Sequence, residues 1–288
     1  MHANGSRPPA GTPVEERCRG VFQRMSRQVS KLVKSTEIEN VHKFRTQSRR
    51  VETLISELGP DNGNQKKLLK LLSKLRKKAG RVRDLDVQIA FLKNLRVSDR
   101  QNHRAQLLSY LVDEQARRAK KLEKALDSET INELRKRLRR VNSEMQLGDV
   151  DPLKLAYKRL PDPGPGPLNE KMLHACRIEA KRARYLAELA PESDDSKRFV
   201  EALKHAQDAI GEWHDILKLT EAAEQQFGGV HDSALVAALQ NIGRARFRGA
   251  VTALFSALSA ATRHKERPSV TPQRKAPAAE TAQRAAVA

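Results

Sequence analysis

The apolar residues of this chain recur every three or four positions along almost its whole length, and no segment alternates with period two for long enough to form a strand. This spacing is typical of amphipathic helices that bury one face. The sequence therefore predicts an all-α fold. We expect Thr36 to cap the second helix together with Glu39. The predicted helices cover residues 14–34, 36–58, 64–95, 98–126, 128–148, a short piece to 160, 168–190, 194–227 and 232–262.

Segments of different composition interrupt this pattern. PDPGPGP at 161–167 is too rich in Pro and Gly for regular structure, and we predict that it is a linker within one helical domain at 14–262. Residues 1–13 and the basic Ala/Pro-rich tail at 263–288 carry almost no large apolar side chains. Because such segments cannot offset the entropy lost on ordering, both are predicted to be disordered.

The charge of the chain indicates a polyanionic partner. The sequence has 55 Lys and Arg against 35 Asp and Glu, a formal net charge of +20. Aromatic residues make up 4%, which is few for a protein that stacks single-stranded bases on aromatic side chains. The two cysteines form no CxxC pair, and no signal peptide or long apolar run is recognisable. We therefore expect a cytoplasmic protein without a membrane span.

Two segments repeat one basic pattern. VHKFRTQSRR at 41–50 and LHACRIEAKR at 173–182 share the order apolar-His-x-x-Arg-x-x-x-(Arg/Lys)-Arg. A second pair of segments, at almost the same separation, aligns Gly80 with Gly211 and Asp84 with Asp215. Because the two pairs of segments are separated by nearly the same number of residues, they predict an internal duplication. Its halves would be two four-helix bundles at about 14–127 and 128–262.

Each repeated segment places its basic residues on one stripe of a helix. Residues at i, i+3 and i+7 lie close together around the helix axis. If the two halves pack through equivalent surfaces, the stripes face each other across a groove that suits a linear polyanion. The first stripe is His42, Arg45 and Arg49, and the second is His174, Arg177 and Lys181.

Other interpretations of the same residues remain open. A basic stripe on a single helix is usually a solvated face, and each histidine could instead orient its helix from a partly buried position. Gly80 and Gly211 are expected to allow close packing of helices, because glycine destabilises a helix interior. Asp84 and Asp215 are expected to pair with basic neighbours.

At these residues the sequence resembles the CHAD family, the conserved histidine α-helical domain, over about residues 14–262. The resemblance implies two bundles related by a pseudo-two-fold axis, a central basic channel and binding of inorganic polyphosphate. Glu52 departs from the family, which tends to place a basic residue there, and this would weaken one end of the channel. The binding residues implied are His42, Arg45, Arg49, Arg50, His174, Arg177, Lys181, Arg182 and Arg184, with Arg81 and Arg83 ranked below them.

Three other functions were weighed against polyphosphate binding. A metal-dependent hydrolase would need ligand or phosphate motifs, but the sequence has no HExxH and no GxxxxGK(S/T) loop. We therefore expect a non-enzymatic binder without cofactor or metal. A sequence-nonspecific nucleic-acid binder is the alternative, because phosphate contacts serve any nucleic acid. The third is a scaffold that docks granule-associated proteins through its tail, on polyphosphate or storage granules.

Overall fold

The computed structural model describes residues 12–164 and 166–265, with side chains described as far as residue 262. These ranges form nine α-helices and no strand, which confirms the all-α prediction. No helix in them is long and apolar enough to cross a membrane. The helices are α1 (Pro13–Lys34), α2 (Ile38–Leu58), α3 (Gly63–Asn94), α4 (His103–Glu123), α5 (Ser128–Glu144), α6 (Pro152–Lys158), α7 (Glu170–Ala187), α8 (Asp194–Phe227) and α9 (Ala234–Lys265).

Two predicted helix starts differ from the observed ones. Thr36 does not cap α2, because its hydroxyl donates a hydrogen bond to Glu123 at 2.9 Å, and the helix begins two residues later. The helix predicted from residue 98 begins instead at His103. The carboxylate of Asp99 accepts the backbone N–H of Arg104 at 2.6 Å and so holds the loop before the helix.

The ends of the described chain also bear on the predicted boundaries. Thr12 forms a reciprocal cap with Glu15, and Pro13 is the first residue of α1, so these two residues of the predicted disordered N terminus are ordered. Residues 1–11 lie outside the described residues. At the other end α9 continues to Lys265, and the predicted tail from 266 onwards also lies outside them.

The first core cluster joins α1, α2, α3 and α5. The apolar stripe of α5 packs there with Met25 and Phe44, which are fully buried. Its members recur at helical spacing and are Ile131, Leu134, Leu138 and Val141. The predicted boundary between residues 127 and 128 assigns α5 to the second half, whereas α5 packs with the helices of the first half.

Of the remaining helices, α7 and α9 pack against α8, α6 packs against α7, and α4 packs mainly against α3. One cluster holds α6, α7 and α8 together through residues such as Ala183 and Phe199, and another buries Trp213 between α7 and α9. A further cluster joins the two sets of helices, with Leu92 of α3 and Leu219 of α8 among its members. This shared core fixes α3 beside α8 and so brings α2 close to α7. The internal duplication itself stays a prediction.

The Pro/Gly-rich linker contains no helix among its described residues. Gly164 and Gly166 have φ values of +68° and +106°, a region that residues with a Cβ rarely adopt. Residue 165 lies outside the described residues. Asn169 follows the linker and caps α7, because its side-chain oxygen accepts the backbone N–H of Met172 at 2.9 Å.

Candidate functional site

A cavity of about 330 Å³ lies between α2 and α7, with α3 forming part of its wall. We call it the α2–α7 cavity. One residue of the first predicted stripe and all three residues of the second line this space. Its basic lining residues are Arg49 from α2, Arg76 from α3, and His174, Arg177, Lys181 and Arg182 from α7.

Three basic side chains in this cavity have no acidic partner within ion-pair distance among the described residues. The side chains of Arg49, Arg177 and Lys181 make no hydrogen bond or ion pair with any described residue. Burial, and then the charge of Arg177, lower the pKa of Lys181 to about 6. Burial and Arg45 lower the pKa of Arg49 to about 10, and burial also lowers that of Arg177. The cavity therefore concentrates positive charge that the described protein groups do not neutralise.

Arg45 lies beside the cavity but is bound to α3. Its Nη1 donates to the carbonyl oxygen of Gly80 at 3.1 Å and to the Asp84 carboxylate at 2.7 Å. The predicted pairing of Asp84 with a basic residue is thus found, and it holds the Arg45 guanidinium against α3.

In each half of the chain, the first arginine of the basic segment lies against the glycine of the second repeated segment. A Cβ added to Gly80 would lie 3.8 Å from the guanidinium of Arg45, and one added to Gly211 would lie 3.6 Å from that of Arg177. The nearest neighbour of each glycine outside its own helix is therefore an arginine side chain of the helix packed against it.

Arg177 differs from Arg45 in its bonding. Its Nε is buried without a hydrogen-bond partner, and no hydrogen bond joins it to Asp215 among the described residues. Burial raises the pKa of Asp215, although the charge of Arg177 opposes this. Since its donors are not already satisfied by a carboxylate, Arg177 is better placed than Arg45 to take an anion.

The two predicted histidines occupy different places. His174 lines the α2–α7 cavity, with its ring 5.1 Å from that of His214 on α8. His42 is exposed and lines a separate groove between α1 and α2. Burial is the main cause that lowers the pKa of His42 and of His174, and positive neighbours add to it. Both rings therefore favour the neutral form near pH 7.

Arg50 and Arg184 are engaged by one carboxylate. Arg50 donates to Glu188 from Nε at 2.8 Å and from Nη2 at 3.2 Å, and Arg184 Nε lies 3.4 Å from the same carboxylate. Both guanidinium groups lie over the ring of Tyr185, at 5.4 and 5.1 Å from its centroid. These four residues, which we call the Glu188 cluster, connect α2 to α7. The cluster gives the two arginines a positioning role.

Three remaining candidates lie towards solvent or outside the cavity. Arg182 stands at the cavity wall and pairs with Glu179 at 2.8 Å. Arg81 is exposed and lines neither the cavity nor the groove. Arg83 acts on His42 by charge, lowering its pKa, and makes no hydrogen bond with a described residue.

Sequence reasoning missed Arg76. Its Nε donates to Glu52 at 2.9 Å, so the residue expected to weaken the site instead holds another cation in the cavity wall. Burial raises the pKa of Glu52, while its bond to Arg76 opposes that shift. Arg76 lies within the lysine-rich run of α3, so its charge does not distinguish it in the sequence. Its spacing of one helical turn before Gly80 is the signal that could have identified it.

The described residues contain no group of three or more His, Cys, Asp and Glu side chains arranged to hold a metal ion. The chemistry that this arrangement supports is recognition of anionic oxygen atoms by charged donors. Guanidinium groups bond such oxygens in pairs, and an ammonium adds a compact charge.

Comparison with known proteins gives one family and a common fold. The CHAD domain family model matches residues 16–224. The crystal structure of the CHAD domain from the plant Ricinus communis has a TM-score of 0.64 and 17% identity, and the match covers 87% of this chain and 90% of that one. PptA from Streptomyces chartreusis has a TM-score of 0.60 and 15% identity, and the match covers 90% of this chain and 100% of that one. No curated protein sequence matches the chain.

Proposed function

Because the chain belongs to the CHAD domain family, we propose that it binds inorganic polyphosphate non-covalently in the α2–α7 cavity. The observation that carries this proposal is the convergence of Arg49, Arg177 and Lys181 without acidic partners among the described residues. Crowding of like charges in a partly buried space is unfavourable unless an anion neutralises it.

A phosphate chain matches the donors that line this cavity. Arg49 and Arg177 come from facing helices, so their forks can bond oxygens from two sides of a thin polymer. Arg76 is held in place by Glu52 and can contact a phosphate without a large loss of side-chain freedom. Because none of these contacts reads a base or sugar, the cavity requires only a repeating anion.

We propose binding without turnover. The cavity supplies charged donors, and its lining includes no arrangement that we can assign to activation of a water molecule. Incubation of the protein with polyphosphate should release no orthophosphate above the level of a protein-free control. Release that depends on the protein and is lost in an Arg177→Gln variant would show hydrolysis instead.

We also propose a cytoplasmic location on polyphosphate or storage granules, with granule-associated proteins as further partners. The support is the net charge of +20, which favours attachment to a polyanionic surface. A fluorescently tagged chain should coincide with polyphosphate staining in cells. It should disperse when Arg49, Arg177 and Lys181 are replaced.

The binding experiment compares three forms of the protein. The cavity variant carries Arg49→Gln, Arg177→Gln and Lys181→Gln. The control variant carries the same number of changes at exposed lysines around the C-terminal end of α4, namely Lys120→Gln, Lys121→Gln and Lys124→Gln. Polyphosphate affinity should fall by about a hundredfold in the cavity variant, because charge-assisted contacts are lost, and much less in the control.

Competition then separates polyphosphate from nucleic acid. Duplex DNA is too wide for a narrow cavity, and the 4% aromatic content offers single-stranded bases few side chains to stack on. Neither should therefore displace polyphosphate at near-physiological salt. If DNA competes equally and the cavity variant binds like the control variant, the charge acts diffusely. The protein would then be a nonspecific nucleic-acid binder, and the polyphosphate proposal would be rejected.

A further inference from the structure

A second basic depression lies on the other side of α2. The α1–α2 groove encloses about 480 Å³, and it includes His42, which the α2–α7 cavity does not. Glu39 is the one carboxylate in its lining, and it is already paired with Lys43 at 2.8 Å. The basic lining residues are Arg24, Arg27, Lys31, His42, Lys43 and Arg50.

The α1 side of this groove carries charge without partners. The side chains of Arg24, Arg27 and Lys31 are exposed and make no hydrogen bond or ion pair with a described residue. Partial desolvation lowers the pKa of Arg24, and the charges of Arg50 and Arg27 lower it further, against an opposing effect of Glu188. Positive groups from two helices thus repel one another across the groove. A bound anion would relieve this repulsion.

A third cavity, whose lining also includes the carboxylates of Glu16 and Glu188, lies between the groove and the site described above. It encloses about 520 Å³ between α1, α2 and the end of α7. Arg24 and Arg50 line both this connecting cavity and the groove, and Tyr185 lines both this cavity and the α2–α7 cavity. The three spaces therefore adjoin one another around α2, and residues of the Glu188 cluster form part of the wall of each.

We propose that the α1–α2 groove is a second binding site for a condensed-phosphate chain, which a polymer reaches when it extends beyond the α2–α7 cavity past Tyr185. This inference rests on the proposed function. It assigns Arg24, Arg27 and Lys31 as binding residues. Short chains occupy the α2–α7 cavity alone, whereas long chains contact both sites, so the groove makes binding depend on chain length.

The test uses two probes and a variant of α1. The α1 variant carries Arg24→Gln, Arg27→Gln and Lys31→Gln, and the α4 control variant removes the same charge elsewhere. Affinity for long-chain polyphosphate should fall by about tenfold or more in the α1 variant relative to the control. Affinity for tripolyphosphate should stay the same in both. Because the three side chains are exposed, far-ultraviolet circular dichroism should show an unchanged fold.

Each other outcome rejects the second site. An equal loss in the α1 variant and the control variant would show that only net charge matters. An equal loss for both probes would show that the groove is no extension of the cavity. If the α1 variant lost affinity for single-stranded DNA alone, the groove would serve nucleic acid. If the wild-type protein bound neither phosphate probe, the proposed function would fail together with the second site.

Discussion

Among single side chains, Lys181 shows most directly what crowding of positive charge does. It lies in the α2–α7 cavity near Arg177 and Arg49, and its pKa is lowered to about 6. At pH 7 the free protein therefore holds this side chain mainly in its neutral form. A phosphate beside it favours the ammonium form, so binding and protonation are coupled.

This coupling predicts proton uptake when polyphosphate binds. Above about pH 6 the free Lys181 is largely unprotonated, so binding must take up a fraction of a proton, and affinity should fall as pH rises. Neutral His174 contributes in the same direction, because its pKa is also lowered. Calorimetric titration at pH 7 in buffers of different ionisation enthalpy measures the uptake directly.

A matched pair of variants assigns this proton to its residue. Lys181→Met should reduce the uptake, whereas Lys204→Met at an exposed position of α8 should leave it unchanged. Uptake that persists undiminished in Lys181→Met would place the proton on another group.

Between elements, the contact of α2 with α7 decides the shape of the site. The Glu188 cluster spans this contact, and the side chains of Arg50 and Glu188 are each 26% exposed. Partly buried charges of this kind are costly to leave without partners. The cluster therefore stabilises the register in which Arg49 faces Arg177.

Glu188→Gln should lower the free energy of unfolding by about 1–2 kcal/mol, because two arginines lose their carboxylate partner and keep only their contact with the ring of Tyr185. Denaturant unfolding followed by circular dichroism measures the change. Glu192→Gln is the control, since Glu192 is 70% exposed and its ion pairs with Arg17 and Lys197 are 3.9 and 3.7 Å long. Equal stability of the two variants would show that the cluster does not hold the helices together.

Across the whole molecule, the net charge of +20 opposes the compact state by self-repulsion. Salt screens such repulsion between exposed charges over about 10 Å at 0.1 M ionic strength. A bound polyanion has a stronger effect, because it neutralises charge in the cavity itself and stabilises only the folded protein.

Polyphosphate and salt should therefore each raise the thermal stability when added alone. Salt should reduce the stabilisation that polyphosphate gives. Without ligand, Tm should rise modestly between low and moderate salt. With polyphosphate at about a hundred times its dissociation constant, stability should increase by about 2.7 kcal/mol, and this increment should shrink as salt rises. Scanning calorimetry at two salt concentrations measures both effects. Orthophosphate at the same total phosphate concentration is the control, and an equal increment from it would argue against polymer binding.

Local pattern was sufficient for the helices and for part of the site. Apolar periodicity predicted the helical segments, with α8 at its observed bounds, and the repeated basic pattern identified Arg49, His174, Arg177 and Lys181. These results depend only on the spacing of residues along one helix, where successive residues are about 100° apart. The sequence alone specifies that spacing.

Contacts between helices could be decided only by the tertiary structure. The packing of α5 with α1 and α3, the position of Arg76 in the cavity wall, and the separation of His42 from His174 follow from how buried stripes of distant helices fit together. The engagement of Arg50 and Arg184 by Glu188 depends on the same fit. A sequence pattern tells which face of a helix is buried or charged, but the partner of that face is set by the packing of the whole core.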